Sequence, residues 1–169
     1  MAKFLTNVSG VITEVQANVT SAGAGDAGKL VALDSTGKLD ISAMPVGIGA
    51  ETDIVTASEA LSAGDFVNLW NSTGIKARKA DASTSGKQAH GFVLSAVSAS
   101  ASATVFRVSQ NNTQLTGMTP GAVQYLSNAT PGGHMETCPS ATGQTVQVLG
   151  IAKSATELIF APGPAITLA

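Results

Sequence analysis

Residues 23–29 are the stretch closest to a known ligand-binding motif. They read GAGDAGK, which matches the Gly-x4-Gly-Lys front of a phosphate-binding loop. The next residue is Leu30 and not the Ser or Thr that binds magnesium, and Asp26 would place a carboxylate among the phosphates. A hairpin pattern follows, so no helix N-terminus would face an anion. The residues therefore disfavour nucleotide binding.

A metal site could be built from histidine and cysteine. His134 lies four residues before Cys138, the only cysteine. A zinc site needs about four protein ligands, or three plus a water, and a single cysteine also rules out an internal disulfide. We expect His134, after a PGG turn, to be a solvated loop residue, and His90, before a strand glycine, to lie at the edge of a core. No metal and no cofactor are predicted.

The remaining candidate residues, which are the serines, the basic cluster and the tryptophan, do not indicate a catalytic site either. No serine sits in Gly-x-Ser-x-Gly, and the sequence predicts no enzyme. Lys76, Arg78 and Lys79 form the densest basic cluster, which we interpret as a solvated strand face. Trp70 is the only tryptophan; we assign it to core or interface packing, with a carbohydrate platform as the alternative.

The elements that would carry these residues are strands. No segment keeps a helical period over three turns, and short strands with regular turn signals predict a mainly β chain, a small β-barrel or β-sandwich. We expect an arm, a glycine-rich linker and a hairpin over 1–49, a β domain over 50–162 and an apolar tail over 163–169. Within the first segment, residues 3–20 favour an extended arm and residues 29–42 a hairpin. Pro162-Gly163-Pro164 is expected to end regular structure.

The β domain appears to contain the same unit twice. The stretch that begins at Leu61 is echoed from Met118, an offset of 57 residues that also relates Gly64 to Gly121 and Leu69 to Leu126. Residues 91–96 (GFVLSA) are echoed by residues 150–155 (GIAKSA). We therefore predict two related β units, at about 61–104 and 118–156, with shared composition as the alternative explanation.

Charge is scarce along the whole chain. Charged residues make up 12% of the 169 residues and the net charge is −2, against roughly 25% charged residues in typical soluble domains. This gives no electrostatic case for nucleic acid or an acidic membrane surface. The start MAKFL lacks the apolar stretch of a secretion signal, which predicts synthesis in a cytoplasm. A surface this poor in charge indicates both that Ser, Thr, Asn and Gln make up its polar groups and that part of it is covered by other subunits.

The arm and the tail are the predicted contact segments. A free apolar arm cannot bury its side chains, so we expect it to pack against another chain. The predicted interaction residues lie in the arm, at the tryptophan and in the tail: Phe4, Leu5, Val8, Val11, Ile12, Val15, Trp70, Ile166 and Leu168.

With these residues in view, the chain resembles the capsid cement, or head-decoration, proteins of tailed bacteriophages. The resemblance rests on residues 60–68 (ALSAGDFVN), 78–82 (RKADA), 89–93 (AHGFV), 115–121 (LTGMTPG) and 148–152 (VLGIA), and covers roughly residues 50–162. It implies a homotrimer on the outer capsid surface that bridges neighbouring major capsid proteins and stabilises the expanded shell. The implied partners are the chain itself and the major capsid protein, without nucleic acid or membrane.

Two other functions stay open. Residues 25–45 also resemble connectors of phage head-fibre and tail-fibre proteins, so a tail-fibre, baseplate or receptor-binding module is the first alternative. A small ligand-binding or hydrolytic β-barrel is the second, and it is disfavoured because no polar groups converge in the sequence pattern.

Overall fold

The computed structural model describes residues 3–44, 51–108 and 110–169. The fold is mainly β, as predicted, and contains a closed barrel. Two compact units divide the chain, Met1–Gly49 and Ala50–Ala169. The strands are, in chain order, β1 (Lys3–Val8), β2 (Val11–Gln16), β3 (Thr52–Ala57), β4 (Phe66–Asn71), β5 (Ile75–Lys79), β6 (Gly91–Phe92), β7 (Ser102–Phe106), β8 (Asn111–Asn112), β9 (Val123–Leu126), β10 (His134–Met135), β11 (Thr145–Val146), β12 (Val148–Ala152), β13 (Leu158–Phe160) and β14 (Ile166–Thr167).

The predicted arm is extended, but it pairs with itself. Strands β1 and β2 form an antiparallel hairpin whose register runs from Lys3↔Gln16 to Val8↔Val11. Its two turn residues, Ser9 and Gly10, have positive φ angles of 53° and 87°, as a two-residue type I′ turn requires. The segment is therefore a two-stranded sheet.

The hairpin predicted over residues 29–42 is wrong, although its turn is correct. The Asp34 carboxylate accepts the N–H groups of Thr36 and Lys38 at 2.8 and 2.9 Å, which fixes the expected turn. The flanking residues do not form strands; β pairing there is one isolated bridge, Asn18↔Val31, and a 3-10 turn spans Ile41–Ala43. Leu33 and its apolar neighbours are exposed, so no covered face holds two strands together.

The first sheet of the second unit is a closed barrel in the order β3-β5-β4-β6-β7. Its neighbours pair antiparallel, except that β3 and β5 close the barrel with a parallel pair at Thr56↔Lys76 and Ala57↔Ala77. Small and β-branched side chains form the barrel's own core, together with Leu61: Ala57, Val67, Ala77, Val93, Ala103 and Val105. Small side chains suit the narrow interior of a five-stranded barrel.

The second sheet repeats this pairing order as β10-β9-β12-β13-β8. Strands β8, β9, β10, β12 and β13 take the places of β3, β4, β5, β6 and β7, and every corresponding antiparallel pair is present. Among the described residues β8 and β10 do not pair, so this copy is an open sheet. The duplicated β unit thus exists as a repeated pairing order, with one copy closed and the other open.

The glycine turns that precede the two repeated sheets are also equivalent. Gly64 and Gly121 have φ angles of 90° and 84°. Gly64 N donates to Val93 O at 2.8 Å, and Gly121 N donates to Ala152 O at 2.8 Å. The carbonyl after each glycine accepts the N–H of that same partner, at 3.0 Å in both units. Both glycines therefore fix the same strand entry.

A row of three phenylalanines lies across the first sheet and becomes the core of the second. Phe66, Phe92 and Phe106 are cross-strand neighbours on β4, β6 and β7. Phe66 and Phe92 are fully buried in a cluster with apolar side chains of the second sheet: Leu126, Leu149, Ala152, Leu158 and Phe160. The Phe160 ring lies 5.7 Å from that of Phe66 and 5.3 Å from that of Phe92. The first barrel therefore fills the inner face of the open sheet.

The C-terminal segment is not a free tail. Strand β14 pairs antiparallel with β11, with Val146 opposite Ile166. The backbone of Leu168 extends the contact, since its N–H donates to Gln144 O and its C=O accepts from Gly143 N, both at 2.9 Å. The expectation that regular structure ends at Pro162-Gly163-Pro164 is therefore wrong, because backbone pairing resumes beyond the second proline.

Candidate functional site

In the stretch that resembles a phosphate loop, the lysine forms an ion pair with an aspartate of the same stretch. Lys29 Nζ lies 2.8 Å from Asp26 Oδ1, and Asp26 Oδ2 accepts the N–H of Ala22 at 2.6 Å. The Lys29 hydrogen bond, aided by that backbone donor, lowers the pKa of Asp26 to about 2. The Ala24–Asp26 helix is a three-residue 3-10 turn, too short to present a helix N-terminus to an anion. Lys29 is thus committed to an internal carboxylate.

His134 lies in strand β10, half-buried, and not in a solvated loop as expected. Its Nδ1 is 2.8 Å from Oε1 of the fully buried Gln124. Burial lowers the pKa of His134, although a hydrogen bond to the backbone of Thr116 acts in the opposite direction. Cys138 is exposed, and within the described parts of the chain no three His, Cys, Asp or Glu residues are grouped to hold a metal.

His90 lies at the edge of a core, as expected. Its Nδ1 accepts the N–H of Leu69 at 2.9 Å, so the bond holds the side chain against strand β4. Burial lowers the pKa of His90, and the nearby Arg107 cation lowers it further. Because the Nδ1 lone pair accepts this backbone hydrogen bond, His90 has a structural role.

Buried amides hold the strands and loops together. Gln147 accepts the N–H of Ala89 at 2.7 Å and donates to its C=O at 2.9 Å, which imitates a strand partner. Asn112 donates to Gly64 O at 2.9 Å. In the described residues, every buried side-chain nitrogen and oxygen has a hydrogen-bond partner. The buried polar atoms therefore serve the fold.

Trp70 packs against the basic strand. The Arg78 guanidinium lies 4.5 Å from the centre of the indole ring, and Trp70 Nε1 donates to Ser58 Oγ at 3.3 Å. Arg78 Nε donates to Asn68 Oδ1 at 2.9 Å, and Lys79 pairs with Asp65 at 3.2 Å. Arg78 and Lys79 are thus engaged and not simply solvated, and one face of the indole is covered by a cation.

The N-terminal hairpin exposes apolar side chains. Leu5, Val11 and Ile12 are 71%, 64% and 65% exposed. Phe4 and Val15 form a half-buried cross-strand pair. The side chain of the predicted contact residue Val8 lies outside what the structure describes. The hairpin, which we call the N-terminal hairpin (β1 and β2), is the first candidate interaction surface.

The two C-terminal candidates differ. Ile166 is exposed on β14, whereas Leu168 is half-buried and bound through its backbone. Trp70 and Ile166 belong to different sheets, so the structure does not bring them together in the ladder.

A second apolar surface was missed by the sequence analysis. Val123, Ile151 and Ile159 are cross-strand neighbours on β9, β12 and β13, and are 39%, 50% and 47% exposed. We call these three residues the aliphatic row. Its signal was present in the sequence, because the predicted repeat aligns Gly150-Ile151 with Gly91-Phe92.

No protein-family model, curated protein or solved structure matches this chain. Within the described residues, no helix is long and apolar enough to cross a membrane. The N-terminal hairpin and the aliphatic row are the two candidate interaction surfaces of the described residues.

Proposed function

We propose that this chain is a structural virion protein, a capsid cement protein that binds the outer surface of an expanded phage head. In this role it assembles as a homotrimer, bridges neighbouring major capsid proteins and stabilises the shell without enzymatic activity or a cofactor. The resemblance of residues 50–162 to cement proteins supports this. The polar groups described above, which are engaged in holding the fold, support a protein that acts by contact.

The observation that carries the proposal is the N-terminal hairpin. An isolated two-stranded hairpin is at best marginally stable in water, and this one leaves Leu5, Val11 and Ile12 exposed. Full burial of one such side chain contributes about 1.5–3 kcal/mol. A partner surface that covers the hairpin would supply the stabilisation that two strands lack, which is how an anchor segment behaves.

Binding to heads tests the anchor. Purified protein is added to undecorated, expanded heads, and bound protein is measured by co-sedimentation. Deletion of residues 1–22 should leave a folded chain, because the second unit has its own cores. This truncated chain should have lost most of its binding to heads. The double variant Leu5→Thr/Ile12→Thr should weaken binding by roughly 30-fold, equivalent to about 2 kcal/mol. Threonine keeps the strand propensity of these positions.

The matched control is Leu33→Thr/Leu39→Thr, which removes two exposed aliphatic side chains from the same unit outside the hairpin. It should bind heads like the unmodified chain. Equal binding by the truncated and full chains would contradict the anchor. If neither form binds heads and both bind host cells or glycans, the function is that of a tail or receptor-binding module.

A further inference from the structure

The aliphatic row occupies a defined position in the repeated unit. Strand β12 of the second sheet corresponds to β6 of the first, because β12 lies between β9 and β13 as β6 lies between β4 and β7. Ile151 pairs with Val123 and Ile159 as Phe92 pairs with Phe66 and Phe106. The row is therefore the second copy of the phenylalanine row.

The first copy of this row is already a contact between repeats. Phe66 and Phe92 are fully buried, and Phe160 of the other sheet touches both rings. At this position, then, the unit packs onto another copy of itself within one chain. In the second sheet, the equivalent position is occupied by half-exposed aliphatic side chains.

The surface around the row is neutral. A groove of about 460 Å³ lies over it, lined by Val123, Tyr125, Val148, Gly150, Ile151, Ile159 and Ala161. The lining contains no Asp, Glu, Lys, Arg or His, so the face offers no complement to an acidic or basic partner. Copies of a chain with net charge −2 repel one another only weakly at physiological salt.

Three aliphatic side chains in a row are enough for the centre of an interface but not for a whole one, which takes about 20–30 residues a side. A stable interface buries about 800 Å² per partner, with an apolar centre and a polar rim. The row can supply such an apolar centre.

We propose that copies of this chain associate through the aliphatic row, so that the rows of neighbouring copies meet at the symmetry axis with Ile151 at the centre. A patch placed on the axis meets its own equivalent in each neighbour. The proposal deepens the proposed function, on which the expected count of three copies rests, by naming the subunit contact.

The test compares two isoleucines that differ in position. Ile151→Lys places a charge in the centre of the row, whereas Ile54→Lys places one on β3 at a residue that is 78% exposed. The mass of the full chain and of both variants is measured by light scattering and native mass spectrometry over a concentration series. Circular dichroism and thermal unfolding verify that each variant is folded.

The unmodified chain and Ile54→Lys should assemble alike. Ile151→Lys should be a folded monomer, or its assemblies should dissociate at a concentration at least tenfold higher than those of the unmodified chain. The dissociation concentration of Ile151→Thr should lie between those of the unmodified chain and Ile151→Lys. The proposal is overturned if Ile151→Lys and Ile151→Thr assemble like the unmodified chain, if Ile54→Lys disrupts assembly equally, or if the unmodified chain is monomeric throughout. Should Ile151→Lys fail to fold, the Ile151→Thr series decides.

Head binding separates this proposal from the function. A chain that assembles through the row and does not bind heads refutes the cement function and leaves the row supported. A chain that binds heads as a monomer supports the head-binding part of the cement function and refutes both the homotrimer and the row.

Discussion

Replacing Gly150 with alanine should be among the most damaging single changes in the second unit. A Cβ built at Gly150 would lie 1.9 Å from the backbone oxygen of Ile159, and the φ angle is 147°. Holding a non-glycine residue in such a conformation costs about 1–3 kcal/mol. Forcing atoms into a packed site costs about another 1–3 kcal/mol. We therefore expect a loss of about 2–6 kcal/mol, out of the ~5–15 kcal/mol that stabilises a typical domain.

The assay is urea unfolding followed by the fluorescence of Trp70, with Gly121→Ala as the matched control. Gly121 has a φ of 84° but nothing within 4 Å of a built Cβ, so alanine there should cost only the backbone strain, about 1–2 kcal/mol. Equal losses for the two variants would refute the close approach of β12 and β13. Failure of Gly150→Ala alone to fold would agree with the expected loss.

Three further outcomes are expected. Phe92→Ala should lose about 3–5 kcal/mol of stability in urea unfolding. Ile151→Ala, at the equivalent half-exposed position, should lose about 1 kcal/mol or less when the chain is dilute enough to be monomeric; similar losses under that condition would contradict the different burial of the two rows. Gln147→Leu should lose about 1–3 kcal/mol for each backbone group of Ala89 left without its partner, seen as a lower urea midpoint. Burial lowers the pKa of His90 in the folded chain below its ordinary 6.5. As the pH drops from about 7, the unfolded chain therefore binds this proton before the folded chain does, and the free energy of unfolding should fall until the pH reaches the folded pKa. NMR titration should place the His90 midpoint below 6.5, and a midpoint above 6.5 would contradict the burial.

The duplicated unit could be found in the sequence because its turns have strict stereochemical needs. Gly64 and Gly121 both adopt positive φ, which few other residues tolerate. Such positions keep their residue type even where strand residues differ. The same reasoning found the turn after Asp34, since a short carboxylate readily binds backbone N–H groups two residues on.

Other features depend on which surfaces meet, and local sequence does not encode that. Ile151 and Phe92 each follow a glycine at the same place in the repeat, yet one is half-exposed and the other fully buried. The alternation after Lys29 resembles a strand but has no sheet to join. The pairing of β14 with β11 joins residues about twenty apart, and only the folded backbone reveals it.

The shared core of the two sheets gives the chain an order of assembly. The closed barrel has an interior of its own, whereas the open sheet packs around Phe66 and Phe92 of the barrel. The barrel is also the first of the two to leave the ribosome, and protein synthesis favours folding from the N-terminal side. The earlier repeat is thus ready as a template when the later repeat emerges. Until then the phenylalanine row is an exposed apolar surface. In a chain with the two repeats in reverse order, the open sheet would be synthesised first, and its apolar inner face would stay exposed to water until the barrel was made.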